Sequence, residues 1–388
     1  MLKQKTIALI LAITMIFTVA PSAVFAVSSE SSVSWNGAMN FNNENNYVTS
    51  IPGPSAPNRT ELKWAYPLNT SVISGGAYYA GQSVIVDGYL YATGGGKLHK
   101  VDIETGEGEV INEDAGVTVS YYDYLCYADG ILILAMQNEL CAYSLDGEKL
   151  GSVIGDYKEY HPVQYHDGYV FCNGYIYELI QDEDSVTFSM VGEGTIGGDV
   201  FNWSSGAFVN ELFYVASKTT VYAVDYKTNT VMDKCIFDPD RTATMSVQGG
   251  LCYDAETKRL FWATYTYNSH LHSIEISEDG FVKDSYMSED AGQKSVATPV
   301  VYGGRVYLAG QQGRICVHNA ADLSKVYDNV TLGGGKVQGN PILSYAGEKV
   351  RIYAQCSNGH LYMFTDNGEG GEAVKLADTK NYTKVTYP

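Results

Sequence analysis

The feature that most constrains this chain is a phrase it writes seven times. Residues 304–323 read GRVYLAGQQGRICVHNAADL: two short runs of alternating apolar residues, a Gly-containing turn between them, and an Asn-Ala-Ala-Asp bend. Variants recur as GYLYATGGGKLHKVDIETGE (88–107), GILILAMQNELCAYSLDGE (130–148), GYVFCNGYIYELIQD (168–182), ELFYVASKTTVYAVDYKTN (211–229), KRLFWATYTYNSHLHSIEISEDG (258–280) and VRIYAQCSNGHLYMFTDNGE (350–369). Marking one strand position in each gives Tyr91, Ile133, Phe171, Tyr214, Phe261, Tyr307 and Tyr353, with steps of 42, 38, 43, 47, 46 and 46 residues. A small sheet repeated at this period cannot bury both faces unless copies stack on one another, so the spacing predicts an all-β, seven-bladed propeller of four-stranded antiparallel blades, with eight blades as the alternative. Large aromatics at a repeated strand position are expected to pack between adjacent sheets.

Each unit parses as an inner strand A, then B, C and an outer strand D. Ring closure has two candidates. Leu62–Pro67, LKWAYP, reads as an outer strand lacking its own A, B and C; Ala373–Leu376 in the last unit is its rival.

Outside the repeats, residues 1–26 have a basic start (Lys3, Lys5), an apolar run from about Ile7 to Val19, and small residues Val24 and Ala26. That run is shorter than the ~20 residues a membrane span needs, so the pattern predicts a cleaved secretory signal and a secreted or cell-surface protein without a membrane span. Residues 27–61, rich in Ser, Asn and Pro, are expected to form an extended leader on the surface, pinned by Trp35 and Phe41; 62–388 is the propeller. The net charge of −19 repels phosphate backbones and excludes nucleic acid as an expected partner. Seven cysteines without CxxC pairs sit in apolar runs such as YLCYA and RICVH, and read as packed thiols.

The phrase PVVYGGRVYLAG, followed by a Gly, an apolar pair and an Asp bend, resembles the pyrroloquinoline-quinone (PQQ) type propeller repeat, and LKWAYPL resembles its Trp-containing outer strand. The resemblance covers nearly the whole mature chain. It implies either a quinone-dependent dehydrogenase or one of the family's noncatalytic binding propellers, which include a bacterial outer-membrane assembly scaffold. The dehydrogenases use eight blades, an adjacent-Cys disulfide ring and a catalytic Asp beside calcium ligands. This chain has no adjacent cysteines, seven units, and only Trp35, Trp64, Trp203 and Trp262. The resemblance therefore implies a noncatalytic member without a cofactor.

No nucleophile elbow, metalloprotease, phosphate-loop or dinucleotide motif is present. His270 and His272 share a strand face without a third ligand, and Asp182-Glu183-Asp184 and Asp238-Pro239-Asp240 lack a calcium loop, so no metal is expected. Topology supplies the candidate site instead, because D–A and B–C loops emerge at one end of a propeller around its channel. That end is expected to carry Tyr121, Tyr122, Asp123, His161, Tyr165, Trp203, Gln293, Lys294, Gln338 and Asn340. The B–C turns add Gln137, Asn138, Lys218, Tyr265, Tyr267, Gln311, Gln312 and Asn358. Aromatics mixed with amides suit a glycan or a protein segment, and the expected protein is a monomeric binder. An envelope oxidoreductase or polysaccharide lyase would instead gather several titratable groups at the channel; an assembly scaffold would expose a blade edge or apolar flank.

Overall fold

The computed structural model describes residues 42–57, 63–68, 83–115, 125–136, 138–158, 161–201, 203–237, 247–265, 269–337, 339–346 and 349–378. They form a β-propeller of seven blades, each a four-stranded antiparallel sheet with its strands in chain order. Blade 1 comprises Val84–Val86, Tyr89–Gly94, Lys97–Asp102 and Gly108–Asn112; blade 2, Leu125–Ala128, Ile131–Met136, Glu139–Ser144 and Lys149–Ile154. Blade 3 comprises Val163–His166, Tyr169–Cys172, Tyr175–Gln181 and Val186–Met190; blade 4, Ala207–Val209, Leu212–Ser217, Thr220–Asp225 and Thr230–Ile236. Blade 5 comprises Cys252–Asp254, Arg259–Ala263, His270–Ser277 and Gly280–Asp290; blade 6, Val300–Tyr302, Arg305–Ala309, Arg314–Asn319 and Val330–Thr331. Blade 7 comprises Ile342–Ser344, Val350–Cys356, His360–Asp366 and Ala373–Asp378.

Local sequence explains the hairpins. In blades 1 to 3 the A–B turn is Asp-Gly, and Asp87, Asp129 and Asp167 take positive φ of 49°, 42° and 48° ahead of Gly88, Gly130 and Gly168. Two successive left-handed residues match the right-handed twist of the flanking strands, and Asp-Gly is a preferred pair for that turn. The repeated position is equivalent throughout: Tyr91, Ile133, Phe171, Tyr214, Phe261, Tyr307 and Tyr353 each face a residue at or near the start of strand A. The first six are buried between blades. Six hydrophobic clusters result, joining blades 1–2, 2–3, 3–4, 4–5, 5–6 and 6–7.

Among the described residues no such cluster joins blade 7 to blade 1. Chain preceding blade 1 covers both sides of that seam. Tyr353, half-buried, packs on Gly53 and donates to the carbonyl of Pro54 at 3.0 Å. On the blade 1 side, Trp64 donates to the Ile103 carbonyl at 2.8 Å, Tyr66 is hydrogen-bonded to His99 at 3.2 Å, and Leu68 closes on Gly94. The segment expected to close the ring as an outer strand of the last unit lies against blade 1 instead; the outer strand of blade 7 is its rival, Ala373–Asp378.

The leader also differs from the surface segment the sequence suggests. Its described part enters the central channel, and Val48–Thr49 pairs in parallel with Leu343 and Ser344 as a fifth strand of blade 7. Inner strands have an unpaired edge facing the axis, and an extended segment supplies its missing acceptors. Trp35 and Phe41 lie outside the described residues. All seven cysteines are free thiols, six buried and Cys235 half-buried. Burial pushes Cys316 and Cys356 up to about 11. Among the described residues no helix is long and apolar enough to cross a membrane.

Candidate functional site

Several residues expected to bind a ligand are engaged in holding the propeller together. The His161 ring accepts from the Lys158 amide at 3.1 Å while its own amide donates to the Lys158 carbonyl at 2.9 Å, so it closes a buried turn. Asn340 accepts from the Thr298 amide at 2.7 Å and thereby links the loops entering blades 6 and 7. The Gln293 amide donates to the carbonyls of Leu308 and Arg314 at 3.3 and 2.9 Å. Gln164, which sequence reading passed over, takes both bonds of the Gly206 peptide group, at 2.8 and 2.9 Å, across blades 3 and 4. Buried peptide groups must be paired, and an amide side chain carries an N–H donor and a C=O acceptor side by side, matching a main-chain N–H and C=O.

Tyr165 is at the opposite end from the one expected. It occupies strand A of blade 3 near the A–B turn, where its hydroxyl donates to Asp129 and accepts from the Gly168 amide at 3.1 Å. Burial, and then the Asp129 carboxylate, raise its pKa, so it remains a neutral donor. At the D–A end, the Lys294 ammonium lies 5.7 Å from the Tyr265 ring centre, and the Lys294 carbonyl accepts from the Gln311 amide at 2.8 Å. Gln311 is half-buried and Gln312 exposed in the blade 6 B–C turn. Tyr121, Tyr122, Asp123, Gln137, Tyr267 and Gln338 lie outside the described residues.

Trp203 does reach the D–A end, half-buried on the loop between blades 3 and 4, at φ 67°. That conformation is uncommon for a bulky side chain, and such residues collect at functional sites. At the same end of the wheel, Ile154, Met190 and Ile236 are the last residues of the outer strands of blades 2, 3 and 4, exposed by 83%, 51% and 51%. Val200, on the same loop as Trp203, is 48% exposed. Three consecutive blades thus present apolar side chains at one end of the wheel. Sequence reading missed these outer-strand residues because alternating patterning alone does not distinguish a solvent-facing edge from one covered by the next blade.

At the other end, a depression of about 430 Å³ opens beside the leader, lined by Asn42, Glu44 and Asn46 with Tyr253, Asp254, Glu256 and Tyr302 of blades 5 and 6. Its size falls within the range of small-molecule sites. Of the two histidines sharing a strand face, His272 has become a packing group: it is buried and stacked on Trp262 at 5.3 Å, and its ring is hydrogen-bonded to the Tyr286 hydroxyl at 2.9 Å. Burial, with a smaller contribution from His270, pushes His272 down to about 3. Asp182, Glu183 and Asp184 are exposed in the blade 3 C–D turn.

Comparison with known proteins returns the same architecture. The chain is similar to the computationally designed Ika8 protein, with a TM-score of 0.56, 11% identity, and coverage of 79% of this chain and 88% of that one. It is similar to BamB from Moraxella catarrhalis, with a TM-score of 0.52, 11% identity, and coverage of 76% and 87%. The Dos1 propeller gives a TM-score of 0.52, 13% identity, and coverage of 75% and 82%. No family model matches the sequence, and no curated protein does. At these identities the likeness concerns the β-propeller fold alone.

Proposed function

We propose that this protein is an exported, noncatalytic propeller of the PQQ-repeat type that binds another protein through the D–A end of blades 2 to 4. One observation carries the reading: Ile154, Met190 and Ile236 end three consecutive outer strands with their apolar side chains in solvent, and Val200 is exposed on an intervening loop. Exposed apolar side chains gathered at one end of a propeller suit an association surface, and a half-buried aromatic at that end, Trp203, suits an anchor. Two of the amides expected to serve a glycan, Gln293 and Asn340, are engaged with neighbouring peptide groups, which favours a protein partner over a sugar.

The test is site-specific photo-cross-linking in the producing cells, from position 236 and, for comparison, from Glu278 at the opposite end. The reading expects one protein captured from position 236 and not from 278, with capture abolished by Ile154→Asp plus Met190→Asp. Equal capture from both positions contradicts it. So does glycan-array binding that is lost in Gln312→Ala and indifferent to the rim substitutions.

A further inference from the structure

The middle residues of strand A in blades 4, 5, 6 and 7 are Phe208, Tyr253, Val301 and Leu343. Their amides donate in turn to the Asn43 carbonyl at 2.7 Å, the Glu44 carbonyl at 2.8 Å, the Asn46 side-chain oxygen at 3.1 Å and the Tyr47 carbonyl at 2.8 Å. The leader therefore advances by about one residue per blade as it turns around the axis. Two side chains set its register. The Asn46 amide returns a bond to the Val301 carbonyl at 2.9 Å, and the Asn45 amide reaches Ser205 at 2.9 Å and the Leu251 carbonyl at 2.8 Å.

The propeller leaves room for this segment. A Cβ on Gly250 would stand 2.2 Å from the Ser205 hydroxyl, 2.4 Å from the Asn45 amide nitrogen and 2.7 Å from the Thr298 hydroxyl, so the absence of a side chain there makes room for Asn45 and for the Ser205 hydroxyl it binds. Asn45 itself sits at φ 52°, a left-handed position that asparagine tolerates better than most residues. Beyond the channel the same chain covers both sides of the seam between blades 7 and 1, the one junction for which the described residues provide no shared cluster.

We propose that the axial edge of blades 4 to 7 is a binding groove for an asparagine-bearing segment, filled in cis by Asn42–Ile51. This tethered segment is a clasp along the inner strands of blades 4 to 7, and an identical strand supplied in trans can replace it. Recognition is by main-chain addition to consecutive blades, with Asn45 and Asn46 selecting the register.

The experiment keeps the full chain and introduces a protease site between Pro57 and Lys63. After cleavage, a fluorescent peptide NNENNYVTSI, the sequence of residues 42–51, is titrated in. The clasp predicts saturable binding with displacement of the cut leader, and a peptide with alanine at both selecting positions binding at least about tenfold more weakly, since each lost buried pairing weakens binding several-fold. Failure of the peptide to displace the leader, or equal binding of the alanine peptide, overturns the proposal. A second measurement covers a nicked protein that precipitates. In the uncut Gly250→Ala variant, hydrogen exchange at Phe208, Tyr253, Val301 and Leu343 should accelerate at least about tenfold, as expected where opening of a local contact controls exchange; unchanged exchange overturns the proposal.

Discussion

The side-chain amide of Asn46 takes both hydrogen bonds of the Val301 peptide group, accepting from its N–H at 3.1 Å and donating to its C=O at 2.9 Å, across 255 residues of chain. Replacing it by alanine leaves a buried donor and a buried acceptor without partners. Asn46→Ala should therefore cost about 2–6 kcal/mol, the sum of two desolvated polar groups. Chemical denaturation with an unchanged m-value would record it; a loss under ~0.5 kcal/mol would show that water replaces the amide without cost.

Acid sensitivity should trace to His272. Its folded-state pKa lies near 3, against 6.5 for the ordinary side chain. Below pH 6.5 the unfolded chain takes up a proton that the native chain refuses, so stability from this group is intact above 6.5 and falls as pH drops, by up to about 1.4 kcal/mol per unit until pH approaches 3. Measured between pH 7 and 5, the wild type should lose about 2 kcal/mol that His272→Phe does not lose. Parallel curves for the two proteins would refute the assignment.

Asp366 joins blades 6 and 7. It accepts from Arg305 at 2.5 Å, from the Tyr307 hydroxyl at 2.6 Å and from the Gly368 amide at 2.8 Å. Burial disfavours its charge, but the bonds from Arg305, Tyr307 and Gly368 outweigh it and hold the carboxyl below the usual range. The stability it provides is present above the ordinary carboxylate pKa and disappears as pH falls through the lowered one. Asp366→Ala should cost about 3–5 kcal/mol near neutrality, because Arg305 and Tyr307 lose their partner. Thermal unfolding within about 2 °C of wild type would contradict this, since a loss of ~3 kcal/mol should lower the midpoint of a domain this large by about 4 °C.

Thiol chemistry offers a fourth check. Six of the seven cysteines are buried in blade interiors and all are unpaired. Reaction with an aromatic disulfide reagent at pH 8 should modify Cys235 at most in the folded protein, and all seven cysteines once it is denatured. A reducing agent should leave the melting temperature unchanged. Fast modification of several thiols in the native state would mean that the blades are not packed as described.

The repeat was legible because burial enforces it: a residue opposite strand A must be large and apolar in every blade, so Tyr91, Tyr214 and Tyr307 keep the period in full view. The axle was not legible, since Asn43, Glu44 and Tyr47 bind through main-chain atoms that any sequence carries. An asparagine-rich run also looks the same whether it is solvated or threaded through a channel. The run of Asn42, Asn43, Asn45 and Asn46 in the leader of a propeller was the available signal. Among the candidate site residues, Asn340 illustrates the general difficulty. An amide satisfies a neighbouring peptide group as readily as a ligand, and only coordinates tell the two apart. Tyr165 was misplaced because a strand boundary a few residues off moves a side chain from one end of the wheel to the other.

Hydrogen exchange across residues 42–51 of the intact protein tests most directly whether a seven-bladed wheel is built around its own leader. The amides of Asn45, Asn46 and Val48, each bonded within the channel segment, should exchange as slowly as those of the inner strands they lie against. Exchange within seconds, at the rate of an unfolded peptide, would contradict the account.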